Sequence, residues 1–165
     1  MPTVARINVN PAGGVPKHAV GGALITASGV GGDRQLDLEH HGGPERAVCL
    51  FSLERIEQLA AEGHPITPGS TGENLTITGL DWAALAEGSR LAVGDDVVLE
   101  ITRAAPPCNT IEASFTDGKF TRISEKVHPG WSRLYARVLR EGLVRERDAV
   151  RVLPPAPAGS PAASE

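Results

Sequence analysis

The sequence predicts a mainly β fold with a few short helices. Nineteen glycines and thirteen prolines stand among its 165 residues, nearly a fifth of the chain where about 12% is usual. Both break helix interiors, so a helix bundle is excluded and many short strands joined by turns are favoured. Around Gly94-Asp95, Leu91 to Val93 on one side and Val97, Leu99 and Ile101 on the other form the pattern of a hairpin. The clearest helical period is confined to one short segment after Ser52.

Each element follows from its own residues. Val4 to Val9 alternates weakly and reads as a first strand, and Ala19 to Thr26, between two glycine clusters, reads as a second. Ala47 to Phe51 is a continuous apolar run, as in a buried strand. Ser52 then supplies a helix N-cap, and Leu53, Ile56, Leu59 and Ala60 line one helical face before Gly63 ends it. Leu75 to Ile77 reads as a strand, and Asp81 caps a short turn through Leu85 that Gly88 ends. Asn109 and Glu112 have the spacing of a capping box ahead of Ile111 and Phe115, which predicts a short helix. From Trp131 to Leu139 two readings compete. Trp131, Leu134, Tyr135, Val138 and Leu139 fit a helical stripe, while Val138 to Val144 and Val150 to Leu153 suit strands. The stretch from Pro154 to Glu165, rich in Pro, Ala, Gly and Ser, is expected to be a disordered tail.

Composition narrows the function. Hydrophobic residues make up 41% and charged residues 22%, as in a globular domain. A chain of this length buries roughly 70% of its unfolded surface and needs no disulfide or zinc staple. The net charge of −4 argues against a nucleic-acid binder, whose footprint is basic. No run approaches membrane-spanning length and no export signal opens the chain, so a soluble, cytoplasmic protein is expected. The two cysteines, Cys49 and Cys108, lie far apart.

Cys108 is the most informative position. Pro106-Pro107 stiffens the approach to it, and the helix expected at Asn109 would favour its thiolate, which is the nucleophilic and metal-binding form. A buried structural cysteine is the other reading. Cys49, inside the run from Ala47 to Phe51, reads as a small hydrophobe. The loop Gly69-Ser70-Thr71-Gly72-Glu73-Asn74 either aims backbone N–H groups at an anion or is simply a turn. Lys17, one of only three lysines, and Arg34 each flank a glycine cluster, as phosphate contacts or as solvated charges. His40 and His41 precede Gly42-Gly43 and point in different directions on most backbones, so one functional imidazole or none is favoured over a shared metal. A cysteine hydrolase built from Cys108 with His41 or His128 has nothing in the sequence to orient its base. Arg133, Arg137 and Arg140 would form a solvated basic stripe on a helix.

Several of these stretches, taken in order, resemble a MOSC domain, the module named for the C-terminal part of molybdenum-cofactor sulfurases. They are Gly13 to Lys17, Gly31 to Arg34, His40 to Val48, Pro68 to Ile77, the Gly94-Asp95 turn, Pro107-Cys108, and Trp131 through Asp148. The resemblance covers about residues 3–153 and leaves the tail outside it. It implies a β-barrel of the pyruvate-kinase type with a few short helices, and hence a strand from Ala136 to Arg140. It also implies binding of molybdopterin-type molybdenum cofactor. In that family the cysteine matching Cys108 is the protein thiolate ligand of molybdenum or carries sulfur as a persulfide. The residues matching Lys17 and Arg34 hold the pterin's phosphate, and His41, Glu73 and Asn74 lie in motifs that border the pocket. Two departures stand out. Ala105 replaces an arginine that many members carry three residues before the cysteine, so an anion contact is missing or supplied elsewhere. Arg147 replaces the usual glycine before Asp148.

The resemblance implies an oxidoreductase that removes oxygen, as water, from N-hydroxylated compounds, with His41 as a candidate proton donor. Without a flavin or iron–sulfur motif, electrons would come from a partner protein. The competing reading is a sulfur or cofactor carrier served by a cysteine desulfurase, and a third is a binding module for another phosphorylated ligand. Neither a sulfurase domain nor a ferredoxin-like extension accompanies the domain, so a stand-alone module is expected, with no nucleic acid or membrane as partner.

Overall fold

A computed structural model describes residues 1–34 and 43–154. The residues of the expected tail after Pro154 lie outside the described residues, as do His40 and His41.

The strands are β1 (Thr3–Val9), β2 (His18–Val20), β3 (Gly22–Thr26), β4 (Gly29–Val30) and β5 (Val48–Ser52). Helix α1 (Leu53–Ala61) follows, then β6 (Leu75–Thr78), β7 (Arg90–Val93), β8 (Val97–Ala104), β9 (Leu134–Arg140), β10 (Gly142–Arg145) and β11 (Val150–Leu153). They form an eight-stranded sheet in the order β11-β7-β8-β9-β5-β6-β1-β2 and a three-stranded sheet in the order β10-β3-β4. The mainly β expectation is met. The ladder is not continuous around a barrel, however, because β1 pairs with β2 on its outer side. β1 is tied to the residues just before β11 by an isolated bridge between Thr3 and Ala149, with Val4 N–H donating to the Asp148 carbonyl at 2.9 Å.

The central strand is β5, and its residues explain why. Val48, Cys49, Leu50, Phe51 and Ser52 are all buried, as an uninterrupted apolar run must be when both faces are covered. Its neighbours are β9, antiparallel, and β6, parallel. A parallel neighbour needs a crossover, and α1 supplies it. Ser52 caps α1 by accepting the Arg55 N–H, Ile56 and Leu59 turn inward, and Gly63 leaves the helix at φ +102.

Three expectations are corrected. The single strand from Ala19 to Thr26 is two strands that break at Gly21 and join different sheets, β2 beside β1 and β3 beside β10. Asp81 precedes a 3-10 turn (Trp82–Ala84) but its side chain makes no capping bond. The segment after Cys108 is a six-residue 3-10 helix, Asn109–Ser114, whose cap position is Cys108 itself, and no side-chain capping bond forms. The capping box between Asn109 and Glu112 is therefore not made, and so short a turn lacks the macrodipole of a full helix. Of the two readings left open for Trp131 to Leu139 the strand holds, and the strand expected from Ala136 to Arg140 is met by β9, because Leu134 to Arg140 pairs along both sides, with β5 and with β8. The basic stripe goes with the helical reading. Arg137 bonds Glu45 and lies beside Glu100, Arg140 is exposed, and Arg133 is buried.

Candidate functional site

The polar loop between α1 and β6 is built around two buried side chains. Glu73 is fully buried and its carboxylate turns back into its own loop. It accepts the Gly69 N–H at 2.9 Å, the Thr71 hydroxyl at 2.9 Å and the Thr76 hydroxyl at 3.0 Å. Burial pushes its carboxyl above the usual carboxylate range, and those donors pull the other way. Gly69 sits at φ +85, where an added Cβ would stand 2.5 Å from the Lys17 carbonyl, so glycine is required twice over.

Asn74 reaches across β1 and β5. Its amide oxygen accepts the Cys49 N–H at 3.0 Å, and its nitrogen donates to the Asn8 carbonyl at 3.3 Å and to Asp33 at 2.8 Å. Asp33 also accepts the Asn10 N–H at 2.9 Å and forms an ion pair with Lys17. The side chains of Lys17 and Asp33 are only 4% and 5% exposed, so the ammonium is neutralised from inside the fold. This network borders a cavity of about 340 Å³ lined by Gly29, Gly31, Gly32, Gly43, Asp33 and Arg46, among others.

Arg133, read from the sequence as a surface charge, belongs here. Its guanidinium donates to the Thr71 carbonyl at 2.7 Å and to the Pro106 carbonyl at 3.3 Å. It thereby ties the polar loop to the segment two residues before Cys108. A signal was available: on a strand, period two puts residue 133 on the same face as Tyr135, which is buried with Cys49 and Ala105.

The two cysteines differ in burial. Cys49 is buried, and desolvation pushes its thiol up to about 11, against the opposing pull of Arg133. Cys108 is half-buried, with its sulfur 2.9 Å from the Thr110 hydroxyl. The structure thus gathers Lys17, Glu73 and Asn74 into one network with Cys49 and Asp33, and joins Cys108 to it through Pro106 and Arg133. Arg34 is exposed at the edge of that region, and His41 lies outside the described residues. Among the described residues no three His, Cys, Asp or Glu side chains cluster as a metal site, and no helix is long and apolar enough to cross a membrane. With 5,5′-dithiobis(2-nitrobenzoate) at pH 8, the native protein should release one equivalent of thiolate promptly, from Cys108, and a second only on unfolding. Two fast equivalents in the native state would contradict the burial of Cys49.

Comparison with known proteins adds three findings. Residues 37–151 match the MOSC domain family. The chain is 32% identical over 116 residues to the Bacillus subtilis (strain 168) protein YflK, covering 68% of this chain and 50% of YflK. It is 29% identical over 161 residues to a Gibberella moniliformis protein named "Reductase", covering 86% of this chain and 28% of that protein. The chain thus spans half or less of the length of these relatives. In fold it is similar to the crystal structure of YiiM from Geobacillus stearothermophilus, with a TM-score of 0.69 at 20% identity over 93% of this chain and 76% of that one.

Proposed function

The chain belongs to the MOSC domain family, and on that premise we propose that it binds molybdenum cofactor through the Cys108 thiolate and reduces N-hydroxylated compounds. The observation that carries the reading is the half-buried Cys108 sulfur at the end of a buried polar network. The relative named as a reductase supports the reaction class.

The donor set fits the group. A bare metal ion would need several protein ligands, which the described residues do not cluster. A metal that arrives with a dithiolene sulfur pair needs little more than one thiolate, and soft sulfur donors suit molybdenum. Bound there, the cofactor would supply a two-electron redox centre with a position open to substrate.

The chain's own residues hold and orient. Cys108 is the protein ligand, and Thr110 stands within hydrogen-bond distance of its sulfur. Lys17 has three N–H donors, one of which is taken by Asp33, so it offers an anion its remaining N–H groups rather than a net charge. Arg34, exposed, adds the charge. Glu73 and Asn74 act one step back, fixing the loop and the Asp33 carboxylate. His41 is the proton donor in this reading. Reduction of an N-hydroxyl compound consumes two electrons and two protons and yields the N–H compound and water, so an electron-donor protein is required.

Metal and pterin analysis tests this on protein expressed in a host that makes the cofactor. Wild type should carry molybdenum and pterin near one per chain, and Cys108→Ala should keep pterin while losing at least tenfold in reductase activity. Absence of both from wild type would overturn the reading. A cyanide-labile sulfur on Cys108 without turnover would replace it with the sulfur-carrier function, supplied by a cysteine desulfurase.

A further inference from the structure

Among the described residues, Arg133 is a buried charge without a counter-charge. It is 4% exposed, and among the described residues no carboxylate pairs with it. Its hydrogen bonds go to two backbone carbonyls, those of Thr71 and Pro106. A guanidinium carries five N–H donors, and the buried Nε has no partner among the described residues. The neighbouring groups that could neutralise it are committed elsewhere. Asp33 is taken by Lys17. The Glu73 carboxyl group faces Gly69, Thr71 and Thr76, which take up both its oxygens. Cys49 is held as the thiol.

Retaining an unpaired guanidinium in the interior is costly, and a fold that needed only to tie two carbonyls together could use a neutral donor. We propose that Arg133 is an anion-binding residue of this site, and that a phosphate or similar oxyanion group of the ligand enters beside Thr71 and Pro106 and supplies the missing counter-charge. Arginine suits that task because its planar fork matches two oxyanion oxygens at once. The proposal rests on the reading of the Cys108 region as a ligand site, but it does not require the ligand to be a molybdenum cofactor.

Inorganic phosphate, and a simple alkyl phosphate in a parallel arm, serve as probes, titrated calorimetrically into the full chain at constant ionic strength with chloride as the control. Wild type should bind saturably, Arg133→Met should lose at least tenfold in affinity, and Arg133→Lys should lose less because it keeps the charge without the fork. Tighter binding of the alkyl phosphate would mark an esterified phosphate as the natural group, and equal binding the free anion. If Arg133→Met does not fold, the wild-type Nε–Hε resonance of Arg133 is followed instead, and it should move with phosphate and not with chloride. Absence of saturable binding to wild type, unchanged affinity in Arg133→Met, or a stationary resonance would each overturn the assignment. The two readings fail separately. Phosphate binding that depends on Arg133, in protein free of molybdenum and pterin, leaves this inference standing without the cofactor. Full pterin content in Arg133→Met leaves the cofactor standing without this inference.

Discussion

Replacing Asp33 by alanine should destabilise the protein by about 3–5 kcal/mol, the usual cost of removing one partner from a buried ion pair. The Lys17 ammonium would be left 4% exposed with no anion beside it. Two further donors, the Asn10 N–H and the Asn74 side-chain amide, would lose their acceptor in the same step. Chemical denaturation measures the loss directly. The decisive control is the double variant Lys17→Met/Asp33→Asn, which removes both charges at little change in volume. It should recover much of the lost stability, since no charge is then left buried without its partner and the amide oxygen introduced at position 33 can still accept one of the two donors. A double variant as unstable as Asp33→Ala would mean that packing around residue 33, and not the ion pair, holds the two segments together.

That ion pair changes how the glycine-rich segments are understood. From the sequence, Lys17 and Arg34 looked equivalent, each a cation beside glycines. The fold separates them, burying one with Asp33 and leaving the other exposed. The distinction was not legible because the residue that neutralises Lys17 is 16 positions away and reaches it only once β1 and the following loops are in place. Arg133 was hidden for the same reason, since the carbonyls it serves are 62 and 27 residues distant. Several features with local causes were legible, although Ala60, placed on the apolar face of α1, is exposed. The Ser52 cap, the inward face of α1 and the Gly94-Asp95 hairpin depend on neighbours within a few residues. Strand β5 was legible because burial on both faces leaves an unbroken apolar run.

The region around Cys108 shows where local signals mislead. Asn109 and Glu112 carry the spacing of a capping box, yet the segment folds as a 3-10 turn capped by Cys108. The thiol therefore owes little to a helix dipole. The role proposed for it rests on exposure instead, by contrast with Cys49, whose thiol burial pushes up to about 11. The loop that faces this region gains its rigidity from inside, through Ser70, which accepts the Ser114 hydroxyl at 2.8 Å, and above all through Glu73.

Glu73→Ala should be the most damaging single change in that loop, costing about 3 kcal/mol or more. Gly69 N–H and the hydroxyls of Thr71 and Thr76 all lose their acceptor in a fully buried place, at roughly 1–3 kcal/mol for each donor left unsatisfied. Glu73→Gln should be tolerated far better, because its amide oxygen can still accept from Gly69 and Thr76 while its nitrogen donates to Thr71, whose hydroxyl can rotate. The pH dependence separates the two roles of the carboxyl. Its pKa is raised in the folded protein by burial, so the folded state holds the proton more tightly than the unfolded chain. The associated stability is fully present below the ordinary glutamate value of 4.5 and is lost as pH rises through the folded value. Relative to wild type, Glu73→Gln should therefore gain stability as pH rises through that window, and urea denaturation across the range reads the difference. A constant offset between the two proteins at every pH would mean that the carboxyl titrates alike in the folded and unfolded states. The loop would then be held by hydrogen bonds alone, with no part played by the buried acid's reluctance to ionise.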